Sequence, residues 1–420
     1  MDLRICSVKA REIIDSRGFP TVEATVRLAS GIVGVASVPS GASTGKFEAI
    51  ELRDNDKKRY NGKGVLNAVN NVNTVIAKSI IEKGYLDFYT ADKLIRSIDG
   101  TENLGRLGAN ATLSVSLAIA KAHAASYSMP LYRYLGGKFG TKLPVPMMNI
   151  LNGGAHASNN IDIQEFMIVP VGFQSFSQML RAGCEVYFTL KSILKRNNYS
   201  TSVGDEGGFA PNLSDEKEAL ELIVSAIKEA GYTTDQIKIA LDIASSEWWT
   251  KGKKYALPKA KIEYSSKDLI KKWSNLIEEF PIISIEDPLG EEDYDGWVQI
   301  TKELGNKVML VGDDLFVTNK DRLKNGLELG LGNSILIKPN QIGSLSSTLD
   351  VIQFAKENGY KTIISHRSGE TDDTSIADIA VATNAGFIKT GAPCRMDRVC
   401  KYNRLLKIEE DLFHTKNRIK

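Results

Sequence analysis

Six segments in the second half of the chain each carry a chemically loaded side chain at or just past an apolar run. They are IKIALD at Asp242, PIISIE at Glu286, VMLVGD at Asp313, ILIK at Lys338, TIISH at His366 and GFIKT at Lys389. After the first, they recur at about the length of one strand–helix unit. A parallel β/α barrel gathers the C-terminal ends of its strands at one mouth. The spacing therefore predicts three carboxylates, two lysines and a histidine in one small pocket. Converging buried carboxylates repel unless a cation sits among them. An all-oxygen set favours Mg²⁺ over Zn²⁺, which prefers histidine or cysteine. The plainer alternative is three unrelated strand-end acids that cap helices or pair with lysines. A lysine near a divalent cation and a second lysine gives up its proton more readily. One of Lys338 and Lys389 is thus a candidate general base and the other a grip for an anion. The plainer alternative here is that both simply neutralise the acids.

Loops add further candidates. The segment VPSGASTGKFEA (38–49) has glycines and a lysine but fails as a phosphate-binding P-loop. Only three residues separate Gly41 from Gly45, and Phe47 follows Lys46 where serine or threonine is required. A flexible lid offering hydroxyls and backbone groups suits it better. The segments NGGAHASNNIDIQEF, with His156, Gln164 and Glu165, and VGDEGGFAPN, with Asp205 and Glu206, set glycine pairs beside polar residues. Such backbone approaches a ligand closely or moves. Paired acids from these loops could protonate a leaving hydroxyl if a neighbour raises one pKa.

Positioning these groups requires a large core, which 420 residues provide, in more than one domain. Residues 1–134 are expected to form a smaller α+β unit: a three-stranded meander over about 3–13, 20–28 and 31–38, then helices over 64–84 and 107–127. Residues 135–420 are expected to form the β/α barrel, opening after the glycine- and proline-bearing stretch LGGKFGTKLPVP. Further strands are expected at 145–150, 163–169 and 200–204. A helix is expected to start at Ser214 as N-cap and stop at Gly231, and another to run from the serines near 344 to Gly359.

Composition narrows the function. The charge of +2 and the short, mixed basic clusters argue against a nucleic-acid or membrane surface. Four cysteines without CxxC spacing point to reduced thiols rather than a disulfide frame. With no signal-like N-terminus and no apolar run near ~18 residues, a cytoplasmic location is expected.

Ten segments in order carry a family likeness: DSRGFPTVE (15–23), VPSGASTG (38–45), NGGAHASNNIDIQEFMI (152–168), GDEGGFAPNL (204–213), LDIASSE (241–247), IEDPL (285–289), GDDLFVTN (312–319), ILIKPNQIGS (335–344), SHRSGETDDTSIAD (365–378) and IKTGAPCRMDR (388–398). The chain resembles the enolase family, in its bacterial type, over essentially its full length. The resemblance implies a small N-terminal α+β domain and a C-terminal barrel whose opening strands depart from strict (βα)₈ order. It implies a lyase that reversibly dehydrates 2-phosphoglycerate to phosphoenolpyruvate with two Mg²⁺ ions. Asp242, Glu286 and Asp313 would bind the first ion, and Ser43 the second. Lys338 would be the base at C2, and Glu206, supported by Glu165, the acid at the C3 hydroxyl. Lys389 would hold the carboxylate side, Arg367 and Ser368 the phosphate, and His156, Gln164 and His366 would complete the pocket. The family further suggests a homodimer or a ring of dimers, an octamer. It also suggests a secondary surface role in binding plasminogen, for which Lys420 supplies a terminal lysine. The competing enzyme reading is an acid-sugar dehydratase or racemase of the same superfamily.

Overall fold

The computed structural model describes residues 2–41 and 45–418, with side chains through 414. The chain opens with the expected meander, an antiparallel sheet of β1 (Ile5–Ile14), β2 (Pro20–Leu28) and β3 (Val33–Ser37). Its central strand buries six of its nine residues, because a helix covers one face. The alanine-rich helix Ala109–Ser126 is buried on almost all sides and lies across β2 and β3. Gly34 permits that approach: a Cβ there would sit 2.1 Å from the carbonyl oxygen of Ala118 and 2.4 Å from the amide of Ala122.

The helix expected over 64–84 forms as Leu66–Asn71 and Ala77–Lys83 joined by one π-type stretch, Val72–Ile76. That wider turn aims Asn73 at the free edge of β1. Its Oδ1 accepts from the Ala10 amide at 2.8 Å, and its Nδ2 donates to the Ala10 carbonyl at 3.1 Å. Two open edge groups are thereby satisfied.

Eight strands then close into a barrel: β4 (Val145–Asn152), β5 (Glu165–Val169), β6 (Lys238–Asp242), β9 (Ile282–Glu286), β10 (Met309–Gly312), β11 (Ser334–Ile337), β12 (Lys361–Ser365) and β13 (Phe387–Lys389). Two short strands, β7 (Tyr255–Leu257) and β8 (Ile262–Tyr264), form a separate hairpin between β6 and β9 that the sequence reading did not anticipate. Neighbouring barrel strands run parallel except around β5, which is antiparallel to both β4 and β6. This is the departure from strict β/α order that the resemblance implied. The fold is thus a modified TIM-type barrel preceded by an α+β domain with a three-stranded sheet.

The barrel interior below the mouth is plugged by Met147, Met167, Val169, Ala240, Met309, Val311, Leu336 and Ile363. Every ionisable group at the mouth therefore rests on a dry floor. The meander is tied to the rim by exchanged backbone bonds between Ser40 and Gly369 (2.7 and 3.0 Å) and by Ser16 donating to the Glu370 carbonyl at 2.7 Å.

Two local expectations are corrected. Residues 200–204 form no strand; Val203 makes only an isolated bridge to Phe209, leaving the segment as the loop that carries Glu206. The next helix, Glu216–Glu229, is capped by Asp215 rather than Ser214, because the Asp215 carboxylate accepts from the Glu218 amide at 2.9 Å. Ser214 instead donates its hydroxyl to the Glu218 carboxylate at 2.7 Å.

Candidate active site

All six expected groups reach one end of the barrel. Asp242, Glu286 and Lys389 are the last residues of β6, β9 and β13. Asp313, Lys338 and His366 immediately follow β10, β11 and β12. Register fixes the neighbours: Asp242 pairs with Glu286, and Ser365 with Lys389. Because β5 runs backward, its first residue is the one at the mouth. Glu165 stands opposite Asp242 on one side and Asn152 on the other.

A narrow cavity of about 30 Å³ is lined by His156, Gln164, Glu165, Glu206, Asp242, Asp313, Lys338, Ser365, His366, Arg367, Ser368 and Lys389. Of the residues expected at the site, Glu286 lies in the adjoining charge cluster, and Ser43 falls outside the described residues.

The lysines sit among the acids. Lys389 Nζ lies 2.9 Å from Asp242 Oδ2, 2.8 Å from Glu286 Oε2 and 3.2 Å from Glu165 Oε2. Lys338 Nζ pairs with Asp313 Oδ2. Burial pushes the Lys338 pKa down, but Asp313, aided by Glu286, more than offsets it and the pKa is held above the usual lysine value. The nearest charge to Lys338 is thus the Asp313 carboxylate. Lys389 is likewise held well up, by Asp242, Glu165 and Glu286 against its burial.

Carboxylates nevertheless outrun their partners. Glu286 is raised well above the usual range by burial and by Asp242. Asp314 is pushed up to about 8 by burial and Asp313. Asp287, Asp313 and Asp314 converge within 4.8 Å, as do His156, Glu165 and Glu206. The trio Asp242, Glu286 and Asp313 does not converge that tightly, since Lys389 and Lys338 stand among them. A second cavity of about 370 Å³ lies beside the first, lined among others by Gln164, Asp242, Glu247, Asp287, Glu291, Asp313 and Asp314. Gln164 Oε1 is buried without a hydrogen-bond partner. An acid-rich wall, which Lys46 also joins, with a spare carbonyl acceptor fits a hard divalent cation.

The other group is a proton-sharing cluster. His156 Nδ1 lies 3.4 Å from Glu165 and 3.8 Å from Glu206. Against burial, Glu206 and Glu165 raise that imidazole to about 9. Glu165 is raised by burial and by Glu206. Glu206 is held well below the usual range: burial pushes it up, but His366, His156 and Arg398 outweigh it. Of the two acids, Glu165 is therefore the one raised. The Glu206 loop is fixed by Gly207 at φ 87°, by Asn149 Nδ2 donating to Glu206 Oε2 at 3.0 Å, and by the Ala392 amide donating to the Glu206 carbonyl at 2.9 Å.

Arg398, to which the sequence reading assigned no role, is fully buried and organises the far wall. It donates to His366 Nδ1 at 2.6 Å and to the carbonyls of Arg367 (2.6 Å) and Ser368 (2.5 Å). Since an arginine only donates, His366 Nδ1 accepts and its proton belongs on Nε2, which faces Glu206 Oε2 at 3.5 Å. Burial, with Arg398 reinforcing it, lowers that histidine to about 4, so it is neutral near pH 7. Asp287 is a second residue without an expected role, although IEDPL sets two acids back to back. Held at φ 41°, it accepts the backbone amides of Asp313 and Asp314, each at 2.9 Å. Its strained backbone buys the placement of Asp313.

A barrel whose mouth gathers lysines, acids and histidines over an apolar floor has the layout of a β/α-barrel enzyme. The chain belongs to the enolase family: residues 5–135 match the family model described as Enolase, N-terminal domain, and residues 140–417 match Enolase, C-terminal TIM barrel domain. It is accordingly an enzyme of lyase or dehydratase type within the enolase superfamily. Among the described residues, no helix is long and apolar enough to cross a membrane.

Proposed function

We propose that the protein reversibly dehydrates 2-phospho-D-glycerate to phosphoenolpyruvate. The observation that carries this reading is one cavity lined by Lys338 beside Asp313, by Glu206 beside Glu165 and His156, and by Arg367 with Ser368. These groups match a proton to be taken, a hydroxyl to be expelled and a phosphate to be held. Lys338 Nζ takes the C2 proton and the electron pair left behind spreads into the carboxylate; in a second step that pair forms the C2–C3 double bond as the C3–O bond breaks. Glu206 supplies a proton to the departing hydroxyl, which leaves as water. Glu165, raised by burial and by Glu206, and His156, 3.8 Å from Glu206, keep a proton available close to that acid. Lys389 faces the substrate carboxylate.

Asp242, Glu286 and Asp313, with Ser43, are the residues that would hold two Mg²⁺ ions, whose charge would stabilise the doubly anionic carboxylate formed on loss of the C2 proton. When Asp313 is shared with a cation, it holds the Lys338 ammonium less tightly, which moves that amine toward the free base the step needs.

Residues 1–134 and 135–420 are the two working units of this reading, which also places the enzyme in the cytoplasm as a homodimer or octamer. The test is ultraviolet absorbance of phosphoenolpyruvate forming from 2-phosphoglycerate with Mg²⁺, lost on chelation and restored by Mg²⁺. No absorbance, together with turnover of an unphosphorylated sugar acid, would assign the chain to the acid-sugar dehydratases or racemases instead.

A further inference from the structure

Arg367 lines the catalytic cavity, and its guanidinium is clamped by residues of two other segments. Its Nη1 donates to Glu48 Oε2 at 2.9 Å and to Asn340 Oδ1 at 3.2 Å, and its Nη2 donates to Glu48 Oε1 at 3.3 Å. Glu48 belongs to the segment that follows Gly45, and both it and Arg367 are almost fully buried. Glu48 Oε1 accepts two further bonds, from the Gly45 amide at 2.9 Å and from Gln341 Nε2 at 3.3 Å. The same Gln341 nitrogen donates to Asp313 Oδ1 at 2.9 Å, while its Oε1 accepts from Thr318 at 2.7 Å. One carboxylate therefore contacts the anion-binding arginine and, through a fully engaged amide, a carboxylate of the acid cluster.

We propose that Glu48 is a positioning residue that fixes the plane of the Arg367 guanidinium toward the substrate phosphate and the orientation of the Asp313 carboxylate. This rests on the phosphorylated-substrate reading above. An arginine side chain is long and freely rotating, so a two-point carboxylate contact sets the plane of its fork before ligand arrives. A prearranged donor avoids reorganisation when the anion binds. The opposite reading is that Glu48 competes with the phosphate for Arg367. The two readings differ in sign.

Glu48→Gln keeps the shape but turns N–H groups toward the guanidinium, which breaks the two-point contact. Its KM for 2-phosphoglycerate and its calorimetric Kd for phosphoenolpyruvate in Mg²⁺ are expected to rise at least roughly 10-fold, the scale of one lost charge-assisted bond. kcat is expected to change less than KM, and the Mg²⁺ concentration for half-maximal activity is expected to rise. A merely structural role would lower the active fraction, and with it kcat, leaving KM and Kd alone. If E48Q does not fold, Asn340→Ala removes a neutral acceptor from the same Nη1 and is expected to shift KM in the same direction by less. Unchanged KM and Kd, or tighter binding, overturns the proposal. Wild-type protein that neither binds nor converts the phosphorylated substrate overturns the substrate reading itself, a result visible without any variant.

Discussion

Lys338 and Glu206 are held by different neighbours, and this separates their roles. Lys338 is grouped with Asp313, and Glu206 with His156, Glu165 and His366. Lys338→Ala is expected to lower both C2 proton exchange and dehydration by roughly 100- to 10,000-fold. Glu206→Gln is expected to suppress dehydration to a similar extent while exchange of the C2 proton into deuterated water persists. Exchange lost as fully in E206Q as in K338A, followed by NMR, would contradict the division of labour. The site residues were legible in sequence wherever an apolar run ended in a charge, as at Asp242 and Lys389. Glu48, Gln341 and Arg398 were not: Arg367 lies 319 residues from Glu48, and Gln341 and Arg398 meet Asp313 and His366 only because neighbouring strand ends are folded together. Spacing along a chain carries no trace of such contacts.

Among the elements, the packing of β3 on the helix Ala109–Ser126 is the most exacting. Gly34→Ala would drive a methyl into backbone atoms that cannot rotate away, and overpacking of this kind costs about 1–3 kcal/mol or more. A lower urea midpoint with an unchanged slope is expected. Asp92, in the helix Phe88–Asp99, is a second such point. Its Oδ2 accepts from Ser116 at 2.9 Å and from the Ser346 amide at 3.0 Å, while its Oδ1 is buried without a partner. Burial raises its pKa from 3.8 to about 6. A raised acid favours folding when protonated, so this contribution is complete below pH 3.8 and is lost as pH rises through about 6. The size is of order 1–3 kcal/mol. In urea melts from pH 4 to 7.5, Asp92→Asn is expected to gain on the wild type as pH rises. A constant difference would show that Asp92 keeps its charge without penalty. Regular elements followed from periodicity, as β1 to β3 show. The loop at 200–204 did not: its one large apolar residue, Val203, is exposed and makes a single bridge to Phe209 rather than a place in a ladder.

For the whole molecule, the excess of buried acid over base would make binding of the proposed Mg²⁺ part of stability. Mg²⁺ at about 100 times its Kd stabilises the native state by roughly 2.7 kcal/mol, so a melting temperature raised by a few degrees is expected, beyond any effect of matched NaCl. Asp313→Asn is expected to remove most of that shift. A wild-type melt indifferent to Mg²⁺ would argue that Lys338 and Lys389 are the only counter-charges these acids need. The barrel could be read from the recurrence of strands, yet its single reversed strand could not, because alternation within a strand is the same in either direction. The pairing of β5 with β4 and β6 decides it.

That reversal sends the chain out of β5 on the side remote from the chemistry, where Val169 pairs with Lys238 at the start of β6. The turn at 170–174 therefore departs from the barrel's closed base, before the helix Phe176–Arg196 begins its way back and places Tyr187 against the carbonyl of Gly207. A fluorophore or peptide epitope grafted into 170–174 would report on the enzyme without crowding its reactants, a convenience that the outgoing turns of β6 and β9 to β13 do not offer.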